Sequence, residues 1–269
     1  MPVLLGFSCS PLATRHLLLS LLFSQYRGHR QAAIISVRFP TVGVHTMRKW
    51  FLRVGITLLA VFVAAGLIYH LALRDWCLHW GTTPSEARAT LPGDELFPVY
   101  AGEATHAITI QAPPQQVWPW LMQIGQDRSG FYSYTFLENL AGCEMPRVER
   151  LVPGWKPRSP GETVWFATPK RFGGQGRMVA AVVQPERSFV MVSANDWARL
   201  QAGKPAQEGF WSFTLEPLAD RQSRLIARVR GGTSPSLASR AVGRLFWEPM
   251  HFIMEQRMLR TIRNLSQRS

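Results

Sequence analysis

Acidic residues are missing from the first quarter of the chain. All 17 Asp and Glu lie at or beyond Asp75, whereas Arg15, Arg27, Arg30, Arg38, Arg48, Lys49, Arg53 and Arg74 precede it. The formal charge of +13 is therefore largely a property of the N-terminal region, and it reads as a targeting or membrane feature before it reads as a nucleic-acid footprint. Cysteine is scarce too. Cys9, Cys77 and Cys143 form no C-x-x-C pair, which excludes a disulfide-stapled miniprotein and a thiolate metal site. Cys77 and Cys143 are read as free or buried thiols, with a bond between them outside the cytoplasm as the alternative. No G-x-S-x-G elbow and no H-E-x-x-H occur, and Gly173-Gly174-Gln175-Gly176 falls between two strand-like runs, as a hairpin turn does and a phosphate loop does not. With 46% hydrophobic and 17% charged residues, collagen and wholesale disorder are excluded. The 269 residues suffice for one good-sized domain with an extra segment, or for two small ones.

Formal charge is also absent from Val54 to Leu73 (VGITLLAVFVAAGLIYHLAL), counting His70 as neutral. A helix of that length rises roughly 30 Å, the thickness of a bilayer's hydrocarbon core. Trp50 and Phe51 precede the run, and Tyr69, Trp76 and Trp80 stand at or past its far end, as interfacial aromatics do. The run is long for a signal h-region, and more apolar residues follow Ala64-Ala65-Gly66 where a cleaved leader would turn polar. Residues 47–74 thus predict a basic flank and a single transmembrane helix. Arg48, Lys49 and Arg53 before the span place the N-terminus in the cytoplasm and the remainder on the other side. Residues 1–46 hold an apolar stretch, Leu17–Phe23, too short to span, and no lasting periodicity. They are expected to be a disordered extension, or to precede a start at Met47.

Beyond the span, residues 75–100 are rich in turn formers and read as a linker. From Thr105 the pattern sharpens. His106, Ile108 and Ile110 alternate with Ala107 and Thr109 up to Pro113-Pro114, which ends a strand and opens a helix to about Gly125 with Val117, Leu121 and Ile124 on one face. A second short helix is expected over Ser133–Leu140 with Phe136, Leu137 and Leu140 buried. Five strand-like runs follow, Glu162–Ala167, Arg177–Val183, Ser188–Ser193, Phe210–Pro217 and Arg224–Arg230. Trp211, Phe213 and Leu215 alternate with polar residues, and so do Leu225, Ala227 and Val229, which predicts an antiparallel sheet with one wet face. Arg224, Arg228 and Arg230 line that wet face and are expected to meet water or anionic lipid head groups rather than nucleic acid. A long helix closes the chain, roughly Ser236–Ser266, with Phe246, Met250, Met254, Met258, Ile262 and Leu265 at helical steps and Pro249 kinking it or opening its second half.

This α+β order of strand, two short helices, five strands and a long helix resembles the helix-grip fold of the START-like SRPBCC superfamily, which includes polyketide cyclases, aromatases and lipid-transfer domains. The resemblance covers about residues 100–267. The stretch ITIQAPPQQVWPWLMQIGQDRSGFYSYTFLENLAGC looks like the opening of a membrane-anchored bacterial subset, and EPMHFIMEQRMLRTI looks like its closing helix. The hairpin from Arg171 to Gly176 is longer and more basic than that pattern. The resemblance implies that residues 101–269 form a ligand-binding domain, with a curved antiparallel sheet wrapped around the C-terminal helix and an apolar cavity between them.

Suitable lining is present in Trp165, Trp211, Phe213, Phe246, Met250 and Met254, since aromatics and thioethers suit a bulky apolar ligand; the same stripe also suits a solid core. Asp127, Arg128, Tyr132 and Tyr134 make the densest polar and aromatic cluster and are candidates to orient a head group, Asp127 alternatively capping a turn or pairing with Arg128. Glu138 and His251 are the only pair suited to acid–base work, weighed against a plain helical Glu and a surface His. Outside the anchor region His79 and His106 are the only other histidines, too scattered in sequence for a metal site. No cofactor is expected. The expected partners are an apolar small molecule or lipid and the bilayer. The expected activity is binding, with a cyclase or aromatase-like enzyme and a non-binding scaffold as alternatives.

Overall fold

The computed structural model of the protein describes residues 44–232 and 236–268, so Cys9, the Leu17–Phe23 run and most of the N-terminal extension lie outside the described residues. Helix α1 (Val44–Ile68) continues through one π-helical turn, Tyr69–Leu73, into α2 (Arg74–Leu78). From Met47 to Leu78 this helix is long and apolar enough to cross a membrane, and its apolar window packs against nothing that buries it. That exposure separates it from the core helix of a soluble domain.

Six strands, β1 (Gly102–Ile110), β2 (Thr163–Trp165), β3 (Arg177–Gln184), β4 (Ser188–Ser193), β5 (Gly209–Pro217) and β6 (Ser223–Gly231), form one antiparallel sheet in the order β1-β6-β5-β4-β3-β2. A register shift between Ala180 and Val182 marks a bulge in β3, a device that bends a strand. Two short helices, α4 (Pro114–Met122) and α5 (Thr135–Leu140), follow β1, and α8 (Glu248–Ser266) packs on β1 and α4. The helix-grip arrangement expected from the sequence is present. The core lies between the inner face of the sheet and α4 and α8, where Ile110, Val117, Leu121, Phe213, Leu225 and Ile262 are buried.

The outer face of the sheet corrects the expectation of a wet arginine surface. Arg228 is only 1% exposed. The segment predicted to be a linker folds across it instead. Thr83 caps α3 (Pro84–Arg88) with a capping box, and Leu91 and Phe97 are buried. Glu86 then pairs with Arg224 at 2.7 Å, Asp94 with Arg228 at 2.5 Å, and Glu103 of β1 with Arg230 at 2.6 Å. Opposite charge settles the matter, because three arginines on one strand face repel one another until carboxylates are laid over them.

Two helices also depart from expectation. In α5, Phe136 is 68% and Leu140 84% exposed, so these two predicted core residues face out while the helix turns Glu138 inward. A further helix, α6 (Ala194–Gln201), sits between β4 and β5 and packs Trp197 and Leu200 against the cluster of Val190, Val192 and Phe210. Ser193 caps it, accepting from the Asp196 amide at 3.0 Å, and the buried Asp196 carboxylate accepts the amides of Gln207, Glu208 and Gly209. The closing helix runs as α7 (Leu237–Val242), a π-helical turn at Gly243–Trp247, and α8, with Pro249 in the first turn of α8. Proline lacks the amide that would continue the ladder, and the wider turn absorbs that loss. Cys77 and Cys143 are free.

Candidate functional site

The sheet grips only part of α8. Met258, Leu259, Ile262 and Leu265 are buried against it, whereas Met254 and Met250, one and two turns earlier, border open space. That space is a cavity of ≈ 580 Å³. Phe131, Phe166 and Trp211 form one wall, with ring centroids 4.7 Å apart for the first pair and 5.8 and 6.0 Å to the indole. Met178, Met250 and Met254 supply flexible thioethers to the other surfaces, and Ser193, Glu208 and Gly209, set in place by Asp196, border one end.

At its floor the cavity is not apolar. Glu255, 2% exposed, accepts the Trp211 indole N–H at 2.5 Å and makes a close contact from Oε2 to His106 Nδ1. The other nitrogen of His106, Nε2, faces the Cys77 carbonyl at 2.7 Å and must donate to it, so a proton also lies between Nδ1 and the Glu255 carboxylate. His251 stacks over His106 with ring centroids 6.1 Å apart, and its Nε2 stands 3.5 Å from Glu255 Oε2. Burial works to raise the pKa of Glu255, but the imidazoles of His251 and His106 beside it outweigh this and hold it well below the usual carboxylate range. For His251, burial works downward, and the Glu255 carboxylate overcomes it, leaving the imidazole above its ordinary value.

Two polar atoms at the cavity make no hydrogen bond among the described residues, Glu138 Oε2 and His251 Nε2, the second having only the ion-pair contact with Glu255 at 3.5 Å. Burial pushes the Glu138 carboxyl up to about 7, so near neutrality it is divided between donor and acceptor forms. An imidazole and a half-protonated carboxyl therefore border one apolar space, ready to hold a carbonyl, hydroxyl or carboxyl group of a ligand or to move a proton on it.

Of the candidates read from sequence, Trp211, Met250, Met254, Glu138 and His251 line this cavity. The others lie elsewhere. Asp127 receives Arg158 at 3.0 and 3.1 Å, while Arg128 reaches the carbonyls of Met122 and Lys156 and the carboxylate of Glu162. Both are tied into a brace around the β1–β2 connection, because a buried Arg158 needs carboxylates. Tyr132 meets Trp120 edge to face, and Tyr134 lies against Arg257 and meets Phe136 edge to face. Trp165 lies against Arg177, and Phe213 is solid core against Phe189. Phe246 sits before the gripped part of the helix and is exposed. The residue that sequence reasoning passed over is Glu255. Its signal was the four-residue step from His251, which places both on one helix face.

Asp127→Asn accordingly tests whether that cluster is structural. Asp127 is one-third exposed and only one of two carboxylates on Arg158, so the expected loss is about 1 kcal/mol in thermal unfolding, with affinity for an apolar probe unchanged. A large fall in affinity at unaltered stability would return Asp127 to the binding site.

His106, His251 and Glu255 place three ligand-type atoms within 4.8 Å of one another, which the scatter of histidines along the sequence did not suggest. The protons already account for this group. His106 spends one nitrogen on the Cys77 carbonyl and the other on Glu255, leaving His251 Nε2 without a hydrogen bond among the described residues.

No model of a protein family matches the chain, and no curated protein matches it. Solved structures do. A protein of Nitrosomonas europaea is 14% identical, the match covering 66% of this chain and 98% of that one at a TM-score of 0.36. A Polyketide_cyc-like protein of Corynebacterium glutamicum is 17% identical over 61% of this chain and 89% of that one, at 0.30. CalC, a self-sacrificing resistance protein of Micromonospora echinospora, is 11% identical over 63% and 97%, at 0.35. The fold assignment rests on the strand order and the gripping helix.

Proposed function

We propose that the protein is a membrane-anchored binder of an apolar small molecule or lipid, held in the cavity between the sheet and α8 with its polar end at Glu138 and His251. The N-terminus is cytoplasmic and the domain lies on the other side. The observation that carries this reading is the pairing of an aromatic and thioether-lined space of ≈ 580 Å³ with two buried polar atoms that make no hydrogen bond among the described residues. Leaving such atoms buried and unsatisfied is unfavourable by about 1–3 kcal/mol each, a penalty that a ligand's polar group removes. An apolar body with one polar end satisfies both features at once.

A fluorescent fatty-acid probe titrated into the full chain in nanodiscs is expected to bind saturably. Glu138→Gln, which fixes the carboxyl as a neutral amide, should weaken the acid probe several-fold while leaving a purely hydrocarbon probe unaffected. Equal affinity of both probes for both proteins would sink the assignment of the polar end.

The second reading, a cyclase or aromatase-like enzyme, is favoured by the presence of an imidazole and a protonatable carboxyl in the lining of one cavity. In its neutral form His251 would remove a proton alpha to a ligand carbonyl through Nε2, and the protonated Glu138 would donate to the carbonyl oxygen. Exchange of deuterium from solvent into a bound ketone, abolished by His251→Asn, would carry that reading.

A further inference from the structure

The first half of the long C-terminal helix is exposed along most of its length. From Glu255 onward the helix is gripped by the sheet, yet nothing between Leu237 and Trp247 is buried. That free half is nonetheless apolar: Leu237 is 77% exposed and Trp247 61%, with Val242, Leu245 and Phe246 exposed between them. Its backbone stays right-handed helical through Gly243 and Glu248, so the free half is held to the gripped half by continuous helix. Such a stripe standing in water is a liability and calls for a partner.

The partner is indicated by three contacts. Arg74 clasps Glu248 through Nε at 2.7 Å and Nη2 at 2.9 Å, and the Tyr69 hydroxyl donates to the same carboxylate at 3.4 Å. A Cβ placed on Gly66 would meet Leu245 Cδ2 at 3.6 Å, so the free half lies against the spanning helix itself. Gly66 stands eight residues before Arg74, about 12 Å back along the helix axis, at a depth where the spanning helix faces hydrocarbon. Arg240 and Arg244 are exposed, form no ion pair among the described residues, and border with Trp247 a second space, so the segment joins basic and apolar side chains as a helix seated at a lipid interface does. Trp247 belongs to this segment and also lines the cavity.

We propose that Leu237–Trp247 lies in the bilayer beside the spanning helix and forms the doorway through which the cavity takes its ligand directly from the lipid. The proposal rests on the reading of the Val54–Leu73 run as a membrane anchor. Given that reading, an apolar ligand passes from the acyl-chain region along Trp247 to Met250 and Met254 without crossing water, and the two arginines meet lipid phosphates.

The test is the full chain in phosphatidylcholine vesicles that carry a diazirine on the acyl chain, irradiated and mapped by mass spectrometry. Adducts are expected on Val54–Leu73 and on Leu237–Trp247, and not on Leu218, which is exposed just beyond the opposite end of β5 from the cavity-lining Gly209. Adducts confined to the spanning helix would overturn the doorway and leave the anchor standing; adducts on neither would overturn the anchor reading and the doorway together. As a second measure, the double variant Leu237→Asp, Val242→Asp alters only exposed positions. It is expected to slow transfer of a fluorescent fatty acid from vesicles into the protein about tenfold, with equilibrium binding in detergent unchanged. An unchanged transfer rate would contradict the doorway.

Discussion

Replacement of Glu255 by alanine is expected to destabilise the domain by about 3–5 kcal/mol, the penalty for removing one partner of a buried charged network. Its carboxylate is the acceptor for the Trp211 indole and the close partner of His106, and His251 stands 3.5 Å away. Alanine leaves the Trp211 indole N–H and the His106 imidazole without the acceptor they share. For a domain of this size the melting temperature should fall by roughly 10 °C. The pH profile adds a signature that a mere packing defect would not produce. The Glu255 carboxyl titrates below its ordinary 4.5 when folded, so its contribution is present above that pH and is lost as pH falls through the depressed value. His251 titrates above its ordinary 6.5, so its contribution is present below that pH and is lost as pH rises through the raised value. Stability of the wild type should therefore peak between about pH 4.5 and 6.5, and Glu255→Gln should flatten the profile on both sides. A Glu255→Ala protein melting within 2 °C of the wild type, a shift of about 1 kcal/mol or less, would show that the network contributes little.

Met254→Trp is expected to weaken ligand binding strongly while sparing the fold. Met254 borders the cavity on the same helix face as Met250, and its carbonyl is held by the Ser133 hydroxyl at 2.8 Å, so the backbone there is fixed and the side chain projects into a space of ≈ 580 Å³. Overfilling a packed core at this position would be destabilising by roughly 1–3 kcal/mol. An indole entering a void finds new aromatic neighbours in Phe131, Phe166 and Trp211, and thermal unfolding should stay within about 1 kcal/mol of the wild type. Affinity for a fluorescent fatty-acid probe should drop by more than about tenfold, equivalent to about 1.4 kcal/mol. Severe destabilisation, with no binding by the wild type, would leave a solid-core scaffold.

The fold was legible in the sequence wherever a period persisted long enough to be read. The period-two alternation through Trp211, Phe213 and Leu215 gave β5 its inner face, Pro113-Pro114 marked the turn from β1 into α4, and the steps from Met250 to Leu265 gave the closing helix its gripped side. Segment 75–100 was not legible, because its order comes from single charges meeting distant arginines, Glu86 with Arg224 and Asp94 with Arg228, and such pairs leave no local pattern. Helix α5 misled for a related reason. Its apolar residues were assigned to the core, but the buried wall needed Glu138, and Phe136 and Leu140 were turned outward.

Within the site, periodicity revealed the face but not the depth. Trp211 and Phe213 share a strand face, yet Trp211 lies opposite the ungripped turns of α8 while Phe213 is solid core. Phe246 and Met250 are one turn apart, and only Met250 borders the cavity. Glu255 stayed hidden because a carboxylate on an amphipathic helix ordinarily reads as solvent-facing, and only the inward-pointing His106 and Trp211 across from it explain its burial.

The central claim is that the space between sheet and helix holds an apolar ligand. Its most direct test is to purify the full wild-type chain and the Met254→Trp chain from the same membranes, extract both with organic solvent and compare the extracts by mass spectrometry. The wild type should carry an apolar molecule, close to one per chain, that the variant lacks, above a common background of bilayer lipid. Indistinguishable extracts from two equally folded proteins would contradict the claim.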